Sequence, residues 1–310
     1  MTRAVLVLNT RAGTLTGRPE LPERIEAILR DSGLDLRVIG EDAAPDMEGR
    51  LDLAAADPAE LVIVGGGDGT LRGAAQRLAG TGRLLGILPL GTLNLLAKDL
   101  GLPLDPEEAT QVAAHGITRE IDVGEVNGEV FTCQSVLGLP NHIGRHRQLH
   151  RRERTIFSRL RLWIALIRAM GHPPLRLALT RPGDPRRRRI WALALSVVNN
   201  PYEESLGRLF HRPRLSGGVL AVYRPRRFGL LWAIRMLLAM ALGAWRNPAE
   251  LEILHTPALT LRSRRSHLRV MNDGEMLVLA TPLEYRSRPG ALRVRVPPPP
   301  VDAAAEGPAA

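Results

Sequence analysis

The chain has one cysteine, Cys133, one lysine, Lys98, and only 4% aromatic residues among its 310 positions. A single cysteine excludes an intrachain disulfide framework and any zinc site built from several thiolates, and it fits a reducing compartment such as the cytoplasm. The few aromatics are not interleaved with the arginines, which argues against a nucleic-acid surface built on base stacking. No secretory signal is read, because Ala4–Leu8 gives five apolar residues before Asn9, fewer than the core of such a signal needs. The best candidate for a membrane span, Phe228–Trp245, would form a helix roughly 27 Å long with Arg235 near its middle. It is not read as a span.

What is present is positive charge and glycine. Basic residues number 42 against 32 acidic, a formal net charge of +10 carried almost wholly by arginine. Such a balance favours anionic partners: nucleotides, nucleic acid or an anionic membrane face. With 45% apolar and 24% charged residues the composition is that of an ordinary soluble protein, long enough for two cores.

Along the chain, β-like runs at Ala4–Leu8, Leu34–Ile39, Leu61–Val64 and Leu84–Leu88 alternate with helix-like stretches at Glu20–Asp31, Asp46–Ala55 and Thr70–Ala79. This rhythm predicts an α/β N-terminal domain, a parallel sheet with flanking helices. Three of its strand ends carry polar or glycine-rich loops, Asn9–Gly17, Gly65–Thr70 and Pro89–Asn94, and ligands in such sheets sit at those ends. After about residue 117 strands follow strands. Asn127-Gly128 marks a hairpin between Ile121–Val126 and Glu129–Thr132, and further strands are read at Leu175–Thr180, Arg189–Val198, Gly218–Tyr223, Ala258–Arg262, Leu268–Met271 and Met276–Ala280. The division expected is a nucleotide-binding α/β domain over 1–118, a mainly antiparallel β-sandwich C-terminal domain with helical insertions over 119–297, and a disordered Pro/Ala-rich tail over 298–310.

Leu61 to Thr70 reads Leu-Val-Ile-Val-Gly-Gly-Gly-Asp-Gly-Thr, an apolar strand entering four glycines around one aspartate. Glycines let backbone N–H groups close on an anion, and Thr70 can open a helix whose N-terminus favours phosphate. Asp68 would repel phosphate directly, so within such a loop it is read as a magnesium organiser; the plainer alternative is a tight turn with Asp68 as a solvated cap. The loop is neither a Walker A motif, which needs Gly-Lys-Ser/Thr, nor a dinucleotide fingerprint, because Arg72 stands where a third glycine belongs.

Gly66-Gly67-Asp68-Gly69-Thr70, followed by Gly86 to Asn94 (Gly-Ile-Leu-Pro-Leu-Gly-Thr-Leu-Asn) and Ala97 to Pro103 (Ala-Lys-Asp-Leu-Gly-Leu-Pro), resembles the bacterial diacylglycerol kinase and sphingosine kinase type of lipid kinase. Asn9 to Gly13 is similar to that family's nucleotide loop. Ile121 to Gly124, Val198-Asn199-Asn200, Asn272-Asp273-Gly274-Glu275 and Pro289 to Leu292 fall in the family order, so the resemblance covers roughly residues 3–297. It implies transfer of the γ-phosphoryl group of ATP, with Mg2+, to a hydroxyl of a membrane lipid such as diacylglycerol, in a cleft between an α/β domain and a β-sandwich. Asn9, Gly13, Gly66, Gly67, Gly69, Thr70, Gly91, Thr92 and Asn94 would form the nucleotide site. Asp68 would hold the metal. Glu275 is assigned as the acceptor base with Asp273 supporting magnesium or loop geometry, and Asp68 stays open as an alternative base. Without the resemblance, Asp273-Gly274 is an ordinary hairpin turn.

Two departures from the family pattern stand out. Arg72-Gly73 replaces an Asn-Glu pair, which bears on nucleotide preference, and Leu215-Ser216-Gly217-Gly218 replaces an acidic turn, so a second, structural magnesium is not expected. Glu153–Met170 reads as an amphipathic helix with Arg154, Arg161 and Arg168 on a basic stripe, suited either to packing on the sandwich or to anionic headgroups. Phe228–Ala244 is apolar nearly all round and flanked by arginines. His142, His146 and His150 share a helical spacing, yet no further ligand completes a metal set. The expected protein is cytoplasmic and peripheral at the inner face of the membrane, with a lipid substrate and no nucleic-acid partner; a homodimer is compatible with this. The alternatives are an NAD kinase-like enzyme and a non-catalytic nucleotide- or lipid-binding protein.

Overall fold

The computed structural model describes residues 2–15, 17–138, 174–204, 211–226 and 250–299, with Trp232, Arg235, Met236, Leu238, Ala239, Leu242, Trp245 and Arg246. The amphipathic segment Glu153–Met170, the histidines at 142, 146 and 150, most of Phe228–Ala244 and the tail from Pro300 lie outside the described residues. Two units are formed, one from residues up to Ile121 together with those from Ala291 onward, the other from Asp122–Gly290.

The first unit is a parallel sheet of β1 (Arg3–Leu8), β2 (Asp35–Val38), β3 (Leu61–Gly66) and β4 (Leu84–Pro89) in the order β2-β1-β3-β4. Its helices are α1 (Leu21–Asp31), α2 (Met47–Ala56), α3 (Asp68–Leu78), α4 (Leu95–Asp99) and α5 (Pro106–His115). β3 is buried along its whole length, which is why it reads as a continuous apolar run rather than an alternating one. Leu21, Ile25 and Leu29 bury one stripe of α1, and Leu71, Ala74, Ala75 and Leu78 bury one of α3. Side-chain oxygens start two helices: Asp46 accepts from Gly49 N–H ahead of α2, and Asp105 accepts from the N–H groups of Glu107 and Glu108 ahead of α5. Arg83 closes α2, donating to the carbonyls of Ala54, Ala55 and Ala59. From β1 the chain passes to β2 on one side and to β3 on the other. The carboxyl ends of β1 and β3 therefore flank the point where the strand order reverses, the usual crevice for ligands in an open parallel sheet.

The second unit packs two antiparallel layers. One pairs β13 (Ala258–Ser263) with β8 (Leu175–Arg181) and with residues 283–286 of β16 (Leu283–Val296), and β8 with β9 (Asp184–Ala192). The hairpin of β5 (Ile117–Val126) and β6 (Glu129–Phe131) turns at Asn127 and Gly128, both at positive φ. The other layer runs β12 (Leu251–Thr256), β11 (Leu220–Pro225), β10 (Ala194–Asn199), β7 (Gln134–Gly138), β14 (His267–Asn272), β15 (Glu275–Ala280). Phe131, Leu137, Val197, Leu220, Leu261, Val270 and Leu283 are among the residues that fill the space between them.

The α/β plus β-sandwich class holds, with differences in detail. α3 starts at Asp68, not Thr70, because Gly67 already serves as its N-cap with extended backbone. The predicted strand Arg189–Val198 is two strands in different layers, parted at Leu193, whose carbonyl lies where a side chain at Gly138 would go. Residues 291–296, assigned from sequence to the second domain, return to the first unit, where Arg293 and Val294 pair in parallel with Leu84 and Leu85 of β4.

Candidate active site

In the first unit the three predicted loops converge. Asn9, at the end of β1, donates its N–H to Gly65 O (2.8 Å) and its side-chain amide to Thr70 Oγ1 (3.0 Å). Thr14 N–H reaches Leu90 O at 3.2 Å, and an added Cβ at Gly13 would stand 3.9 Å from Thr92 Oγ1. The two glycine motifs meet main chain to main chain. A Cβ on Gly91 would lie 2.5 Å from Gly67 Cα, and one on Gly66 would lie 2.6 Å from Thr70 Cβ. Gly69 sits in the first turn of α3, where N–H groups lack helical partners.

Asp68 and Asn94 hold this arrangement. Asp68 Oδ1 accepts the N–H of Leu95, the first residue of α4, at 2.8 Å, tying the start of α3 to the second glycine loop. Asn94 is buried and left-handed (φ 50°, ψ 48°), a conformation asparagine tolerates better than most residues. Its Oδ1 accepts from Gly91 N–H (2.9 Å), and its Nδ2 donates to Pro89 O (3.1 Å) and Gly91 O (2.9 Å). The asparagine thus shapes the loop from within. Thr10 Oγ1 donates to Glu41 Oε1 at 2.6 Å, and this bond, with Arg50 and Arg11 nearby, holds the Glu41 carboxyl below the usual range. Arg50, buried and not singled out from the sequence, donates to Leu8 O at the end of β1. Arg72 is also buried, in the body of α3.

In the second unit Asp273 and Gly274 form the two-residue turn between β14 and β15, with φ of 48° and 91°. The Asp273 carboxylate is filled by donors. Oδ2 accepts from Thr132 N–H (2.6 Å) and Thr132 Oγ1 (3.0 Å), and Oδ1 from Cys133 N–H and Gln134 N–H (both 2.9 Å). Glu275, half-buried, is paired across the hairpin with Asn272, so their side chains share a face. Asn272 is fully buried, and both polar atoms of its amide lack a hydrogen bond among the described residues.

A second hub gathers motifs far apart in sequence. Buried Asp122 accepts from Gly290 N–H (2.9 Å), Gly218 N–H (2.6 Å) and Asn200 Nδ2 (3.1 Å), while Asn199 Nδ2 donates to Asp122 O (2.8 Å). Arg212, wholly buried, donates to Thr132 O and Asn199 O (2.8 Å each) and to Cys133 Sγ (3.0 Å). No periodicity in the sequence marks Arg212, because its partners come from two segments far apart in the chain, Thr132-Cys133 between β6 and β7 and Asn199 at the end of β10. A groove of about 670 Å3 on the second unit involves none of the predicted site residues; among its lining, Glu125 is already paired with Arg286. Among the described residues no cluster of three or more His, Cys, Asp or Glu could hold a metal, and no helix is long and apolar enough to cross a membrane.

Residues 3–126 match the family model of the diacylglycerol kinase catalytic domain, so the resemblance carried by the two glycine motifs is shown for that segment. A Yersinia pestis (strain Pestoides F) protein named "Probable lipid kinase YegS-like" is 37% identical over 142 residues, 44% of this chain and 47% of that protein. A protein of the same name from Yersinia pseudotuberculosis serotype O:1b (strain IP 31758) matches to the same extent. The chain thus spans about half the length of these relatives. Over nearly the whole chain the likeness is one of fold. A crystal structure of a "putative diacylglycerol kinase" from Bacillus anthracis str. Sterne superposes with a TM-score of 0.70 at 21% identity, covering 96% of this chain and 97% of that one. Another, of a diacylglycerol kinase from the same strain, gives 0.66 at 18% identity with the same coverage.

Proposed function

We propose that this protein is an ATP-dependent lipid kinase that transfers the γ-phosphoryl group to a lipid hydroxyl at the inner face of the cytoplasmic membrane. The observation that carries the reading is the approach of Gly91 to Gly67 beside the N-terminus of α3, with Asp68 bridging the two turns. Two turns whose main chains leave no room for a Cβ between them keep side chains out of the way of their N–H groups, which suits phosphate oxygens held by main chain. One carboxylate in the cradle, with no multi-carboxylate cage among the described residues, suits a magnesium ion shared with the phosphates. Magnesium, when bound, neutralises charge on the transferred group. Asn9, Thr70 and Thr92 orient the phosphates, and Glu275 takes the proton of the acceptor hydroxyl. After Glu275, β15 continues as Met-Leu-Val-Leu-Ala with Val278 64% exposed, a surface an acyl chain can lie against.

Labelled ATP with total bacterial lipid, followed by mass identification of the product, tests the reading. Asp68→Asn keeps an acceptor for Leu95 N–H and is expected to fold yet lose lipid phosphorylation; unchanged turnover would remove the assignment. Glu275→Gln is expected to lower turnover by orders of magnitude with ATP binding retained, and a small effect would move the base to Asp68. Phosphorylation of NAD instead of lipid would point to an NAD kinase-like enzyme, and tight ATP binding without any product to a non-catalytic binder.

A further inference from the structure

The outward face of β9, β8 and β13 carries charge that phosphoryl transfer does not use. Along β9, Ile190 and Ala192 are buried in the sandwich, whereas Arg187, Arg189 and Trp191 are exposed, Trp191 by 63%. The register places Arg176 opposite Trp191, and Ala178 between Arg189 on one side and Arg262 on the other. Arg176 lies over the Trp191 ring at 5.3 Å from its centroid. Among the described residues Arg176, Arg187, Arg189 and Arg262 form no ion pair, while the neighbouring Arg181 and Arg188 are engaged by Asp184 and Glu252.

β9 is an edge strand, and charges there also keep a sheet from pairing with other chains. That accounts for arginines on β9. It does not account for Arg176 and Arg262, which sit on interior strands, or for an exposed indole among them. Single-stranded nucleic acid would call for successive stacking rings, and this face has one, already covered by a guanidinium. Guanidiniums around one tryptophan on a flat face match the headgroup region of an anionic bilayer, where the indole takes the interfacial position and the cations meet phosphates.

We propose that this face docks the protein onto anionic phospholipid bilayers, with Arg176, Arg187, Arg189 and Arg262 contacting lipid phosphates and Trp191 entering the headgroup layer. The proposal goes beyond the kinase reading, and its test needs no turnover, so either can fail alone. The full chain is sedimented with vesicles of phosphatidylcholine or of an equimolar mixture with phosphatidylglycerol. Binding is expected to the mixed vesicles only, and to weaken as salt shortens the screening length from about 10 Å at 0.1 M to about 3 Å at 1 M. Arg187→Ser with Arg189→Ser is expected to lower the partition coefficient about 25-fold, at about fivefold per arginine, while the paired lysine replacements keep most of it. Trp191→Ala should weaken binding at every salt concentration, and thermal midpoints should not move. Equal binding to both vesicle types, no binding to either, or a serine double variant that binds like the parent would overturn the proposal. So would tighter binding to RNA than to anionic vesicles at the same salt, lost in that variant, which would assign the face to nucleic acid.

Discussion

Gly91→Ala is the most direct probe of the cradle. The added methyl group would stand 2.5 Å from Gly67 Cα and 2.8 Å from Asn94 Oδ1, whereas relaxed carbon–carbon contacts are about 3.5–4.0 Å. The turns must part by about 1 Å, and because Gly67 presents main chain, no side-chain rotation relieves the contact. Overpacking of this kind costs about 1–3 kcal/mol, offset by about 0.4–1 kcal/mol from the stiffer unfolded chain, for a net loss of about 1–2 kcal/mol. Gly67→Ala is the control: its Cβ would meet Gly91 Cα at 3.4 Å, and φ there is −89°, so stability should change by no more than about 0.5 kcal/mol. Gly66→Ala should cost about as much as Gly91→Ala, because its nearest neighbour, at 2.6 Å, is Thr70 Cβ, which side-chain rotation does not move. Urea unfolding reads the stabilities. Lipid phosphorylation should fall on the order of 100-fold in Gly91→Ala, the scale expected when a positioning element moves by 1 Å. If Gly91→Ala is as stable and as active as Gly67→Ala, the two turns do not form the cradle.

Three further outcomes are expected. Burial raises the Tyr285 phenol above its ordinary range, partly opposed by its bond to Ser135; the unfolded chain then releases that proton first, near pH 10, and stability should fall by about 1.4 kcal/mol per pH unit above it. Tyr285→Phe should flatten this alkaline slope in urea titrations while losing about 1 kcal/mol near neutrality, because Ser135 loses its partner. Asp273→Ala should cost about 3 kcal/mol or more, leaving the N–H groups of Thr132, Cys133 and Gln134 without their acceptor, with Asp273→Asn milder because it keeps one acceptor and tolerates φ of 48°. Arg83→Ala should cost about 1–2 kcal/mol by uncapping α2, read as earlier exchange of amides in its last turn.

Much of the first unit was legible because its cues are local. Apolar runs mark the strands, Asp46 stands where the second helix was read to begin, and glycine at a strand end marks a loop where main chain must come close; α5, opened by Asp105, was not read from the sequence. The hairpins at Asn127-Gly128 and Asp273-Gly274 were legible for the same reason. What local pattern cannot carry is the choice of partner. Arg189–Val198 has unbroken strand propensity, yet the chain changes layers at Leu193. Ala291–Val296 looks like any sandwich strand, and only its pairing with β4 reveals that it belongs to the first unit. Asn94 in the first unit and Arg212 in the second act through contacts that no spacing rule encodes: three bonds inside one loop in the first case, bonds to two distant segments in the other.

The motif acids differ in how much of their accepting capacity the fold already uses. A carboxylate offers about four lone-pair sites. Asp273 accepts from four donors, so ligating a metal there would require giving up a bond to the Thr132–Gln134 segment. Asp122 accepts from three, all between segments that it ties together. These two carboxylates act as frame: Asp273 fixes the turn on which Glu275 is carried, and Asp122 joins the Asn199–Asn200, Gly217–Gly218 and Pro289–Gly290 segments. This favours loop geometry over magnesium as the role of Asp273, and it separates the expected phenotypes. Loss of a framing carboxylate lowers stability and turnover together, whereas neutralising Glu275 lowers turnover at constant stability. Asp68 stands between the two cases, since its bond to Leu95 frames the cradle in which it also lies. Its asparagine variant, which keeps an acceptor for the Leu95 N–H and removes the charge, separates the two contributions.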